Sequence, residues 1–295
     1  EEISFKIDSH RSQNLEELEL LMNNEYISTD GYAFAKASVD YTSFIYKEKY
    51  PFYHKKKTGN NTFHDLDENF YSYRSQLNLN DKRLSYFRPY YNFMKHYFGN
   101  MAYKTCSKKC EMNSFVSAID QLHLNKHKIA MIDSMVKEDH LRDNLLRNVA
   151  MDYLLKVHMA NDDCQKFIKE FETLSNNPAH IDEIKDLFKG IQGLQPEGEL
   201  PHLTLEDIEG NTTTLKEISK KGNTVFYFWS AEQRRHFRNV MKRVGELKLL
   251  HPKQHFVGIN LNTTKPQWET MIKESGLNPE EQFRGSEYLN SQSFE

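Results

Sequence analysis

The chain has no long apolar run. None of its segments approaches the roughly 20 apolar residues that a membrane-spanning helix requires. It also lacks a dominant charge: 39 Lys and Arg stand against 42 Asp and Glu, for a net charge of -3. That balance excludes a nucleic-acid binder driven by overall basicity. Cysteine is scarce. The three present are Cys106, Cys110 and Cys164, and an odd count leaves at least one thiol free or paired between chains. No H-E-x-x-H metal motif and no convincing fixed-period repeat occur. No signal peptide is visible, and the chain opens at Glu1 without Met, so the expectation is a processed or trimmed amino terminus.

Aromatic residues are abundant, with 16 Tyr and 19 Phe concentrated in the first hundred positions, and 295 residues suffice for two domains. Ile3, Phe5 and Ile7 alternate with polar residues and suggest the end of a strand. From Asn14 the pattern is helical. A second helix is expected from about Tyr32 to Tyr50, stopped by Pro51, with Lys55 to Asn61 as an exposed loop. Asp67 to Leu77 reads as helical. Between Ser85 and Ala102, Tyr90, Phe93, Met94, Tyr97 and Phe98 recur at i, i+3, i+4, i+7 and i+8, with Pro89 in the first turn. That stripe reads as a helix-packing core, with an aromatic ligand groove as its alternative. Helices follow at 118–135, 140–157, 164–174 and 181–191. Gly190 to Gly198 then gathers glycine and proline, and the periodicity changes from helical to alternating. The expected organisation is a helical domain over 1–190, a linker over 191–199 and an α/β domain over 200–295, α+β overall.

The second half is organised around Thr224 to Phe237, T-V-F-Y-F-W-S-A-E-Q-R-R-H-F. An apolar strand over Val225–Trp229 runs straight into a helix expected over Ala231–Leu250. In an α/β domain such a junction lies at the carboxyl edge of the sheet, where sites are commonly built. Around it stand a short strand at Leu200–Leu205, a turn with Gly210, a helical turn at 216–220, a second buried strand at His255–Asn260 and a helix over Lys265–Ser275.

The segments L-P-H-L-T-L-E-D-I-E-G-N-T-T-T-L-K-E-I (200–218), G-N-T-V-F-Y-F-W-S-A (222–231), F-V-G-I-N-L-N (256–262) and W-E-T-M-I-K-E-S-G-L (268–277) resemble the thioredoxin-like family. The nearest branch is that of the extracytoplasmic TlpA-type thiol-disulfide oxidoreductases. The likeness covers 199–280, and for 1–190 it is architectural: a Tyr-rich helical half before such a domain looks like secreted or lipid-anchored proteins of Bacteroidota. It implies a periplasmic or outer-membrane-associated protein with an envelope protein partner, and a lipid anchor upstream of Glu1. No cofactor, nucleic acid or membrane span is implied.

The family places W-C-x-x-C after its central strand. Here Glu232 stands at the tryptophan, Gln233 at the nucleophilic cysteine and His236 at the resolving one. Neither replacement supplies the thiolate that exchange requires. The family's cis-proline loop would lie beyond Glu295, so the resemblance implies an incomplete thioredoxin-like domain as given. The expectation is therefore a non-catalytic binding or assembly subunit. Its contact surface is the degenerate turn: Glu232, Gln233, Arg234, Arg235, His236 and Arg238, with Lys242 and Arg243 extending a basic helix start.

Cys106-Ser107-Lys108-Lys109-Cys110 is the other candidate, a thiol pair whose flanking lysines would lower thiol pKa values. Beside the redox reading stand incidental thiols or a structural bond to Cys164. Two cysteines without further close ligands fall short of a zinc set. His123 and His127, four apart, resemble paired metal ligands, but Lys126 and Lys128 flank His127 and favour surface histidines.

Overall fold

The computed structural model describes residues 2–59, 66, 68–110, 117–196 and 198–285. Its contacts divide the chain into two compact units, Glu1–Gln195 and Pro196–Glu295. The architecture is α+β, with the helices concentrated in the first unit and a mixed sheet in the second.

The first unit contains α1 (Glu2–Asn23), α2 (Thr29–Thr58), α3 (Arg88–Lys109), α4 (Ala118–Met135), α5 (Asp139–Val157), α6 (Asp162–Leu174) and α7 (Pro178–Gly193). The strand expected at Ile3–Ile7 is helical instead. Ile3 and Ile7 are four apart and half-buried, whereas Phe5 is 73% exposed. Alternation over five residues is too short to separate the two periods. Helix α2 runs through Pro51 rather than stopping there. Proline removes one backbone hydrogen bond, but the residue is buried among the side chains that dock this helix, and packing outweighs the roughly 3 kcal/mol local cost. The same helix takes in Lys55, Lys56 and Lys57 as its last turn, where cations complement the helix dipole, and Gly59 closes it at φ +69°. Asn60 and Asn61 of the expected loop lie outside the described residues.

Glu68–Gln76 is 3₁₀ rather than α, broken at Tyr71. The α3 stripe is core: Tyr90, Phe93, Met94, Tyr97 and Phe98 are all buried, against Leu141, Leu145, Tyr153, Phe167 and Phe171 in one continuous cluster.

In the second unit the elements are β1 (Thr204–Glu206), β2 (Thr212–Thr214), α8 (Leu215–Ser219), β3 (Thr224–Trp229), α9 (Arg234–Leu250), β4 (His255–Asn260), α10 (Lys265–Glu274) and β5 (Gln282–Gly285). The first strand thus begins at Thr204, not Leu200. Sheet order is β2-β1-β5-β4-β3. Strands β3, β4 and β5 are parallel, and β1 is antiparallel to both of its neighbours. One face packs Tyr227, Trp229 and Phe256 under α9 and α10, with Phe237, Val244, Trp268 and Ile272. The other packs Leu205, Val257, Ile259 and Phe283 against Leu215 and Ile218 of α8.

The strand β3, expected to be buried, is half-buried. It lies at the sheet edge among the described residues, and Val225 and Phe228 are 38% and 47% exposed. Helix α9 begins at Arg234, three residues later than its periodicity suggests, because Ser230–Gln233 form a turn. Its last residue, Leu250, is 69% exposed. Among the described residues no helix is long and apolar enough to cross a membrane.

Candidate functional site

The junction after β3 sits at the carboxyl ends of β3 and β4, where Trp229 pairs with Asn260. Two loops are laced together there. The Ala231 amide donates to Thr263 Oγ1 at 3.2 Å, the Ser230 and Thr263 hydroxyls lie 3.4 Å apart, and the Glu232 amide donates to Ser230 Oγ at 3.3 Å. Gln233 is the N-cap of α9 and makes no side-chain cap bond. Glu232, Gln233, Arg234, Arg235, His236 and Arg238 are all exposed, whereas Phe237 is buried with its ring 5.1 Å from that of Trp229. No ion pair among the described residues engages Arg234, Arg235 or Arg238. The turn therefore presents unpaired positive charge at a helix amino end, where free N–H groups and the macrodipole both favour anions.

The three cysteines are free thiols. Cys164 is buried in α6 beside the Tyr153 hydroxyl at 3.5 Å and bonds to neither of the others, so the expected alternative of a structural disulfide does not hold. Cys106 and Cys110 lie one turn apart at the carboxyl end of α3. Cys106 is fully buried beside Ala102 and Leu124. The expected lowering of thiol pKa by Lys108 and Lys109 is not seen at Cys106: both lysines are exposed, while burial and then Cys110 push its thiol up to about 12. The histidine pair also separates. His123 is exposed, but His127 Nε2 lies 3.3 Å from Cys110 Sγ, and the Cys106, Cys110 and His127 ligand atoms fall within 4.8 Å of one another. Sequence spacing flagged all three residues, but not that α3 and α4 would bring them to one point.

A third locus escaped the sequence reading. A cleft of about 650 Å³ between α2, α3, α4 and α5 is lined by Lys49, Lys56, Lys95, Lys128 and Lys156, with Asp152 and aromatic walls that include Phe52 and Tyr103. Burial pushes Lys128 down to about 8, with Lys156 adding to the shift and Asp152 opposing it. Burial pushes His96 down to about 4, and Lys49, Lys95 and Lys128 add to it. These lysines come from four helices, so nothing local in the sequence shows that they share a cleft.

Comparison of the chain with protein-family models, with curated proteins and with solved structures finds no match.

Proposed function

We propose that the chain is a non-catalytic binding protein of the cell envelope, whose second unit is a thioredoxin-like scaffold without its redox centre. The observation that carries this reading is the turn at the carboxyl edge. The positions where the resemblance calls for a cysteine pair hold Gln233 and His236, both exposed, and residues 196–295 contain no thiol. Three parallel strands flanked by an antiparallel pair, with the turn leading into a long helix, support the scaffold assignment. The envelope location rests on the resemblance. What the turn offers a partner is Arg234, Arg235 and Arg238 on an open helix start, a surface suited to carboxylates or phosphates on a protein. The alternative of an oxidoreductase using Cys106 and Cys110 is disfavoured by the complete burial of Cys106 and its high pKa, since exchange needs an accessible thiolate.

Reduced protein is expected to give no thiol-dependent reduction of insulin above the uncatalysed rate. The double variant Gln233→Cys, His236→Cys is expected to form a reversible disulfide and gain measurable exchange, because it restores a C-x-x-C pair at a helix amino end. Turnover by the native chain overturns the non-catalytic reading. A well-folded double variant that cannot close its disulfide overturns the scaffold assignment.

The lysine-lined cleft favours a second reading, a carrier of small anions that bear an apolar or aromatic part. With ATP as the probe, binding is expected to raise the unfolding temperature. It is also expected to raise the His96 pKa from about 4, because an anion stabilises the protonated ring. Lys128→Met should weaken both effects. A His96 resonance that titrates identically with and without saturating probe removes this reading.

A further inference from the structure

We propose that Cys106, Cys110 and His127 form a binding site for one thiophilic cation of the zinc(II) class, held by two thiolates and His127 Nε2. The inference is independent of the reading given to the second unit. It rests on three ligand atoms of the right chemistry converging from two helices, within 4.8 Å of one another and with 3.3 Å between Cys110 Sγ and His127 Nε2. A tetrahedral zinc ion, with about 2.3 Å to sulfur and about 2.1 Å to nitrogen, holds its ligand atoms about 3.6–3.8 Å apart. The Cys110–His127 separation of 3.3 Å falls just short of that value and all three atoms lie within 4.8 Å of one another, so small side-chain rotations suffice to reach it.

The local sequence explains the convergence. Cys106 and Cys110 are four apart and share one side of α3, and Cys110 is the residue at which that helix ends, its amide still bonded to the Cys106 carbonyl at 2.9 Å. His127 lies in the middle of α4, which packs along α3. The wall behind the thiols is apolar, made by Ala102, Leu124, Tyr103 and Met131. Cys106 is enclosed by this wall, while Cys110 and His127 are half-buried and leave an approach from solvent. Among the described residues no fourth His, Cys or carboxylate joins the set, which supplies three of the four ligands that a tetrahedral ion takes.

The chemistry balances without a redox partner. Each thiol gives up its proton to the buffer, each sulfur donates an electron pair, and two thiolates neutralise a dication. In the bound form the cation supplies the counter-charge that the apolar wall around Cys106 does not. The competing chemistry, a Cys106–Cys110 disulfide, leaves His127 without a role and needs an oxidant. A bound ion would tie the carboxyl end of α3 to the middle of α4.

The test uses the full chain, reduced, freed of metal with a chelator, and titrated with Co²⁺ and then Zn²⁺. Expected are one equivalent bound, thiolate-to-cobalt charge-transfer absorption that Zn²⁺ displaces, and a higher unfolding temperature with Zn²⁺. Cys110→Ser and His127→Gln, both at half-buried positions, should each weaken Zn²⁺ binding by about 100-fold while retaining the native helical circular dichroism. The exposed neighbour His123→Gln should leave affinity unchanged. Folded, reduced wild-type protein without thiolate-cobalt absorption overturns the proposal. So does a Cys110→Ser variant that binds as tightly as the native chain, or equal losses from His123→Gln and His127→Gln.

Discussion

Arg74→Met is expected to destabilise the helical unit by about 3–5 kcal/mol, as is usual when one partner of a buried ion pair is removed. The reason is the environment of Glu48 on α2. Its carboxylate is wholly inaccessible, and both oxygens are fully used. Oε1 accepts from the Tyr73 hydroxyl at 2.6 Å and from Arg74 Nε at 2.9 Å, and Oε2 accepts from Arg74 Nη2 at 2.5 Å and from Asn100 Nδ2 at 2.7 Å. Four donors meet about four lone-pair sites, so the charge is satisfied only while Arg74 is present. Burial, and then the adjacent carboxylate, push the Tyr73 hydroxyl's pKa up, so Tyr73 remains a donor. The guanidinium also lies 3.9 Å from the centre of the Tyr71 ring.

Removing Arg74 strands a buried anion. Removing Glu48 as well removes the problem. The double variant Glu48→Met, Arg74→Met is therefore expected to be more stable than Arg74→Met alone, despite losing more polar contacts. Denaturant unfolding followed by far-UV circular dichroism is the measurement, since most of the helix lies in this unit. A single variant within 1 kcal/mol of the native protein, or a double variant worse than the single, would show that the network is not organised as described.

This network marks the limit of what the sequence discloses. Glu48 sits between two lysines in Lys47-Glu48-Lys49, yet Lys47 and Glu48 are 4% and 1% exposed. Their partners, Asp8 for Lys47 and Arg74 for Glu48, lie 39 and 26 residues away. Periodicity locates a helix and its apolar face, which is why the α3 stripe and the spans of α4 and α5 were legible. It says nothing about a charged residue whose cost is offset by a distant partner. Pro51 belongs to the same class, because a local stop signal was outweighed by packing that only the folded chain shows. In the second unit the order of elements was legible, whereas the burial of β3 was not, since strand order is a property of pairing between segments. At the candidate sites, residue types were visible and convergence was not: His127 was paired with His123 by spacing, and the fold pairs it with cysteines on another helix.

The substitution Gly258→Ala is expected to unfold the second unit or cost it about 3 kcal/mol or more, against what local propensity suggests. Glycine inside a strand normally costs roughly 0.5–1 kcal/mol relative to alanine, so the exchange should ordinarily help. Here a Cβ on Gly258 would fall 2.2 Å from Gln282 Oε1, and 2.8 and 2.9 Å from Cζ and Cε2 of Tyr227. Neither neighbour is free to move. Gln282 is 1% exposed, its Oε1 accepts from Trp229 Nε1 at 3.1 Å, and its Nε2 donates to the Tyr227 hydroxyl at 2.9 Å. These side chains cross β4 from strands on either side of it, over the one position in that strand with no side chain. An added methyl would incur overpacking of about 1–3 kcal/mol. It would also strand buried donors, at roughly 1–3 kcal/mol each. Gly245 in α9 is the control, since an added Cβ there meets nothing within 4 Å. Gly245→Ala should stabilise by about 0.8–1 kcal/mol through helix propensity. Both tryptophans, Trp229 and Trp268, are buried in this unit, so tryptophan emission during denaturant unfolding reports on it alone. Equal midpoints for Gly258→Ala and the native chain would mean that the Gln282 bridge does not lie over Gly258, and the register that pairs Gly258 with Gln282 would be wrong.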